Sequence, residues 1–226
     1  MGSVGLSQSF SDGASSAPAE VWRAAPAQPL QLLSAFEAVH ATVAGRANVS
    51  PRRLVAPGPT AQQLDDLLSL AAAAPDHGHL LPWRFVLVPQ EQRHRLGDAF
   101  VNALLARDPG ATPEQLESAA EKAHRAPLLL LAVACAADAS SGIPEGEQLV
   151  SLGAAIQNVL LGATAMGFGS GLTSGQAMHS AHLRALFGLA ANESAVCFVN
   201  IGTVTEHKAS KRLRPVASDL LTTLGA

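Results

Sequence analysis

Ala71-Ala72-Ala73-Ala74-Pro75-Asp76-His77-Gly78-His79-Leu80-Leu81-Pro82-Trp83-Arg84-Phe85-Val86-Leu87-Val88 is the stretch whose reading decides this fold. A helix closes in four alanines and stops at Pro75, since proline cannot extend a helix and drives its predecessor out of the α region. Residues 76–79 form a tight polar loop. Pro82 opens an extended run, and Phe85-Val86-Leu87-Val88 has the apolar, β-favouring composition of a short buried strand. Trp83 suits either the core or a stacking platform. A polar loop between a buried helix and a buried strand holds binding or reactive groups on rigid supports.

Upstream of this anchor, residues 1–28 are rich in Ser, Gly, Ala and Pro, lack periodicity, and read as a flexible tail. Residues 29–226 then form the one folded domain. Leu30, Leu33, Phe36, Val39 and Val43 recur at helical spacing, predicting an amphipathic helix ended by Gly45. Residues 46–59 read as a loop. Thr60 is the expected N-cap of a second helix through Leu64, Leu67, Leu68 and Leu70.

Downstream, residues 90–106 predict a third helix. Thr112-Pro113-Glu114-Gln115 places cap, N1 proline and acidic first turn in order, predicting a fourth helix to about His124. Residues 127–137 are continuously apolar, as in a central strand covered on both faces. Residues 147–167 predict a long helix, apolar all round and therefore buried. Gly167-Phe168-Gly169-Ser170-Gly171 then turns into Leu172-Thr173-Ser174-Gly175. A short helix over 179–187 and a last strand over 196–204 follow. With no Gly-x-Gly-x-x-Gly after the first strand, a Rossmann dinucleotide site is not supported. An α+β sandwich, helices on a small sheet, remains.

The 226 residues carry 48% hydrophobic and 15% charged residues and a net charge of −3. With a pI near 6.2, this gives no electrostatic case for nucleic acid or an anionic membrane surface. No uninterrupted apolar run approaches the roughly 20 residues that span a bilayer, and the start lacks a secretory signal pattern. Cys135 and Cys197 sit in separate apolar runs and read as reduced, buried small hydrophobes. A cytoplasmic enzyme-sized domain is the expectation.

Three groups of residues could carry chemistry. Arg46, and far along the chain Lys211, Arg212 and Arg214, are either solvated loop charges or, if they converge, a phosphate site without a P-loop. Asp76, His77 and His79 could ligate a metal, but His-x-His suits a strand better than a tight loop, and no third ligand cluster is evident. Leu172-Thr173-Ser174-Gly175 is either a plain turn or a set of amides and hydroxyls suited to a heterocycle edge. No Gly-x-Ser-x-Gly elbow is present, which argues against a serine hydrolase.

Residues 74–85, Ala-Pro-Asp-His-Gly-x-x-x-Pro-Trp-Arg-Phe, resemble a segment of the nitroreductase family, in its small single-domain branch. Residues 46–54, Arg-Ala-Asn-Val-Ser-Pro-Arg-Arg-Leu, resemble that branch's opening Arg-Arg-Ser-Val-Ser-Pro-(Lys/Arg)-Arg-Leu. The similarity runs to about residue 215.

The resemblance implies an α+β sandwich of a small, mainly antiparallel sheet flanked by helices, in an intertwined homodimer with FMN between the subunits. It implies an FMN-dependent oxidoreductase passing reducing equivalents from NADH or NADPH to an electron-poor acceptor, a nitroaromatic or quinone, by a ping-pong scheme. In that reading Arg46, Ala47 and Asn48 with Arg212 and Arg214 hold the phosphate and ribityl chain. His77 reaches flavin bound mainly by the partner subunit, Leu172, Thr173 and Ser174 lie on the flavin, and 162–167 line the nicotinamide side. Ala47 stands where the branch has a second arginine and Asn48 where it has serine. Ala73 stands where some relatives have arginine, and Leu172-Thr173 where they often have Trp-Arg. No catalytic acid, base or metal is implied. A flavin-binding or sensing module with little turnover is the alternative, and a metal hydrolase on Asp76, His77 and His79 a further one.

Overall fold

The structure, a computed structural model, describes residues 29–206 and 213–225. The expected tail, residues 1–28, lies outside them. Among the described residues, those up to Ala38 and those from Val39 onward fall in two separate units. The first helix, α1 (Pro29–Gly45), belongs in part to each, and the sheet and all other helices belong to the second.

Local signals set the helices. In α2 (Ala61–Ala72) the Thr60 hydroxyl accepts from the Gln63 amide at 3.2 Å while the Gln63 side chain accepts from the Thr60 amide at 2.9 Å. This reciprocal capping box satisfies two donors the helix start would orphan. Thr112 and Gln115 repeat it at α4 (Pro113–Glu121). Between them, α3 (Arg93–Arg107) follows a one-turn 3-10 helix at Gln90–Gln92.

The sheet is antiparallel throughout. Its central strands are β3 (Leu128–Cys135) and β5 (Glu193–Val204), with β2 (Trp83–Leu87) on the far edge of β3. On the other edge of β5 lies β4 (Gly169–Thr173), and β1 (Leu54–Val55) pairs with its last residues. Two of these strands depart from the sequence reading. Residues 54–55 lie in an expected loop, yet the Thr205 amide donates to the Arg53 carbonyl and draws the segment onto β5. Residues 169–173, expected as a glycine-rich turn, are a full strand because β5 offers an open ladder edge and Val49 N–H donates to Ser170 O on the other side.

One core fills each face. On one, α2 and α5 (Glu145–Ala165) pack Leu67, Leu152, Ala155, Val159 and Ala163 against Leu130, Ala132, Val199 and Ile201. On the other, α3 and α6 (Ala181–Leu186) bring Leu96 and Leu183 against Leu131, Val133 and Phe198. Trp83 is buried in the first core, which settles its role as packing. By length and composition α5 could cross a bilayer, but half of it is buried inside the protein. It is not buried all round as its composition predicts, because Leu149 and Val150 are exposed, Val150 by 73%. Cys135 and Cys197 are free thiols on neighbouring strands. Burial pushes the Cys197 thiol up to about 11, so it stays a packed, unreactive group.

Candidate functional site

The expected phosphate residues and the expected flavin-edge residues come from segments some 120 positions apart, and the fold lays them side by side. Asn48 bridges to Ser170 in parallel, and its side-chain Oδ1 accepts from the Leu172 amide at 3.1 Å. The approach requires glycine at 171, where a Cβ would lie 2.3 Å from Val49 O and 3.1 Å from Asn48 Oδ1. Any larger residue would push residues 46–50 off β4. Ala47, Leu172 and Ser174 are exposed, while Arg46 and Thr173 are half-buried. Among the described residues the Arg46 guanidinium makes no ion pair.

Arg214 joins the same place from the C-terminal segment. Its guanidinium donates to Ala44 O at 2.8 Å, Arg46 O at 3.0 Å and Val43 O at 3.4 Å. A cation on the last carbonyls of α1 offsets the negative end of the helix. Here Arg214 ties the C-terminal segment to the Arg46 backbone, and most of its forked donors are already committed. Arg212, with Lys208 and Lys211, lies outside the described residues.

Asn200 is a positioning residue that the sequence reading passed over. It is 2% exposed on β5, and its Nδ2 donates to Gly171 O at 3.1 Å, Thr173 Oγ1 at 3.0 Å and Phe198 O at 3.3 Å. The signal was available, since a lone amide inside the apolar run Phe198-Val199-Asn200-Ile201 must find partners when buried.

His77 is elsewhere. Asp76 shapes its loop by accepting from the amides of Leu80 at 3.2 Å and Leu81 at 2.8 Å. Those bonds, with Gly78, His79 and Leu81 at positive φ, make the turn tight. The Asp76 carboxylate is therefore spent on backbone rather than presented beside the histidines. His77 Nδ1 lies 2.7 Å from Glu147 Oε2, both side chains well exposed, at the start of α5. Strand β4 follows the other end of that helix, whose 21 residues make it about 30 Å long at 1.5 Å per residue. Across the sheet, Thr173 aligns with Phe198, Leu131 and Val86. Three strand spacings of about 4.8 Å thus separate β4 from the strand that His77 precedes. One chain does not bring His77 to Arg46 and Asn48.

Near the end of α5, Gly162 is a packing position. A Cβ on Gly162 would lie 2.5 Å from Leu70 Cδ1 and 2.8 Å from Leu67 Cδ2. Buried Gly162 lets α2 close on α5, while Ala165 and Gly167 beyond it are exposed.

The chain matches the sequence model of the nitroreductase family over residues 46–203. It is 34% identical over 167 residues to a candidate NAD(P)H nitroreductase of Haemophilus influenzae, covering 74% of this chain and 89% of that protein. Among solved structures it is similar to a nitroreductase-like family protein of Bacillus cereus, with a TM-score of 0.69 at 21% identity over 83% of this chain and 96% of that one. It is also similar to NfnB, an FMN- and NADPH-dependent nitroreductase from a Sphingopyxis strain, with a TM-score of 0.67 at 19% identity over 83% and 99% of the two chains. At those identities the structural likenesses establish the fold. The family match, with a relative this similar over most of its length, establishes that the chain belongs to the nitroreductase family, a family of oxidoreductases.

Proposed function

We propose that residues 29–226 form an FMN-binding oxidoreductase domain that works as a homodimer, with each flavin held between two copies. The observation carrying this reading is the junction of Asn48 with Leu172, fixed by the 3.1 Å bond and fastened by Arg214 through the Arg46 carbonyl. The donor set fits FMN. Arg46 offers a guanidinium with no competing ion pair among the described residues, the fork that suits phosphate oxygens. The amides and hydroxyls of 172–174 suit the alternating acceptors and donors of an isoalloxazine edge. Ala47 and Asn48, with Arg212 and Arg214 from the C-terminal segment, border the phosphate and ribityl chain.

The separation of His77 from this half-site supports the dimer, because a second copy can supply the His77 loop that one chain cannot. A neutral imidazole there would donate to a flavin oxygen without burying a charge. Exposed Leu149 and Val150 on α5 give the dimer apolar surface to cover. Bound in this cleft, FMN would supply the electron chemistry, accepting from NADH or NADPH and passing to a nitroaromatic or quinone in ping-pong order. The protein's part is to position the ring and to keep one face open to donor and acceptor in turn. No side chain is assigned as acid or base. Two free thiols fit a reducing compartment, and we place the protein in the cytoplasm.

Anaerobic mixing tests the function. NADPH should bleach the flavin bands, and menadione or nitrofurazone should restore them within the turnover time. Bleaching without rapid recovery would leave a flavin-binding or sensing module instead.

A further inference from the structure

One cavity, of about 400 Å³, lies on the α3–α4 side of the sheet and is bordered by Thr173 and Ser174. Its volume is that of a small-molecule site. Its buried lining is mainly apolar, with Met178 and Phe198, whose ring meets Phe100 edge to face at 5.8 Å and 84°, and it includes the Asn200 amide already bonded to Gly171 O and Thr173 Oγ1. Its other border is basic: Arg107 at the end of α3, and Lys122 and Arg125 just after α4. Among the described residues no Asp or Glu lines it. Glu121 answers Arg125 from outside at 2.9 Å, yet the Arg125 Nε–H is buried without a hydrogen-bond partner. Among the described residues Arg107 and Lys122 form no ion pair. An aromatic slot rimmed by the exposed cations Arg107 and Lys122 selects for shape and charge together.

We propose that this cavity is the acceptor subsite and that it takes an aromatic acceptor bearing a carboxylate. The ring lies on the Phe198 and Met178 lining beside Thr173 and Ser174, and the carboxylate faces Arg107 and Lys122. The proposal rests on the reading that Thr173 and Ser174 border the flavin. For a nitrobenzoate the step is two-electron reduction of nitro to nitroso: NAD(P)H and a proton are consumed, and NAD(P)+ and water are released.

The test compares 4-nitrobenzoate with 4-nitrobenzamide, similar in shape but uncharged, in the native dimer and in Arg107→Gln, Lys122→Gln and the double variant. Steady-state kinetics give the ratio of kcat/KM values, and calorimetric titration gives the ratio of affinities without turnover. The native protein should prefer the carboxylate by about tenfold at low salt, as expected for a charge-assisted contact. That preference should shrink with added salt and fall toward one in the double variant. Preferential binding of the carboxylate without turnover of either compound would uphold the subsite and sink the oxidoreductase reading. Equal binding of the two compounds by the native protein, or a preference untouched in the double variant, would overturn the subsite. So would variants that raise KM for NADPH alone, since the cations would then serve the phosphates of the donor.

Discussion

At the scale of single residues, Arg46 and Arg93 contrast, and only their partners tell them apart. Arg46 keeps its guanidinium clear of ion pairs among the described residues. Arg46→Gln should weaken FMN binding roughly 10- to 100-fold, the value of a charge-assisted phosphate contact, without moving the unfolding midpoint. Fluorescence titration with FMN beside a urea melt reads both. His77→Ala should likewise loosen FMN and leave the fold intact, because its bond to Glu147 is exposed and such pairs contribute about 1 kcal/mol or less. Unchanged FMN affinity in that variant would remove His77 from the site. Arg93 is the opposite case. It is 1% exposed and donates to Val88 O at 2.8 Å, Ala123 O at 2.7 Å and Pro127 O at 3.3 Å. Arg93→Met leaves three carbonyls without their donor and should cost about 3 kcal/mol by denaturant melts, with FMN affinity per folded molecule retained.

Glu193 sets a pH dependence. The Arg84 guanidinium bonded to it at 2.6 and 2.9 Å, then the Ala190 amide, hold its carboxyl at about 2, below the ordinary 4.5. A folded-state value below the unfolded one means the stabilisation is complete above about 4.5 and is lost as pH falls toward 2. Glu193→Gln should flatten stability across that window, measured by thermal melts from pH 5 to pH 2.5. A slope equal to the parent's would contradict the assignment.

At the scale of elements, what could be read in advance was whatever local chemistry decides. Thr60 and Thr112-Pro113-Glu114 announced their helices because an N-cap is a local signal, and the structure completes each as a capping box with the Gln three residues on. Residues 128–135 announced a covered strand because nothing polar interrupts them. Strand β4 was invisible, since Gly-Ser-Gly-Leu-Thr has little β preference of its own and pairs because β5 and the Asn48 segment flank it. The site divided in the same way. The resemblance at residues 46–54 and 74–85 named candidate segments, but the bond from Leu172 to Asn48 spans 124 positions and has no local signature. The basic border of the cavity was missed because Arg107, Lys122 and Arg125 each look like a helix-terminal surface charge. Gly171→Ala tests the junction: the added carbon meets Val49 O, so it should lower both stability and FMN affinity. Gly153→Ala, with open space around the position and a helical backbone, should instead stabilise the isolated chain by about 0.5–1 kcal/mol.

At the scale of the whole molecule, the central claim is that the flavin site is divided between two copies. His77 and the Arg46–Asn48 junction lie at opposite ends of α5, and the exposed Leu149 and Val150 lie near the His77 end. Val150→Glu should therefore shift the protein toward monomer in sedimentation and release its FMN together with the dimer contact. A monomer that keeps FMN tightly would place the whole site in one chain.

The most direct measurement is an absorption spectrum of the purified protein, with acid release of the chromophore and its molar ratio to chain. Visible flavin bands are expected, released as FMN rather than FAD, approaching one per chain in a dimer. A colourless protein that takes up no added FMN would contradict that expectation, and the family's fold would here be serving something other than flavin chemistry.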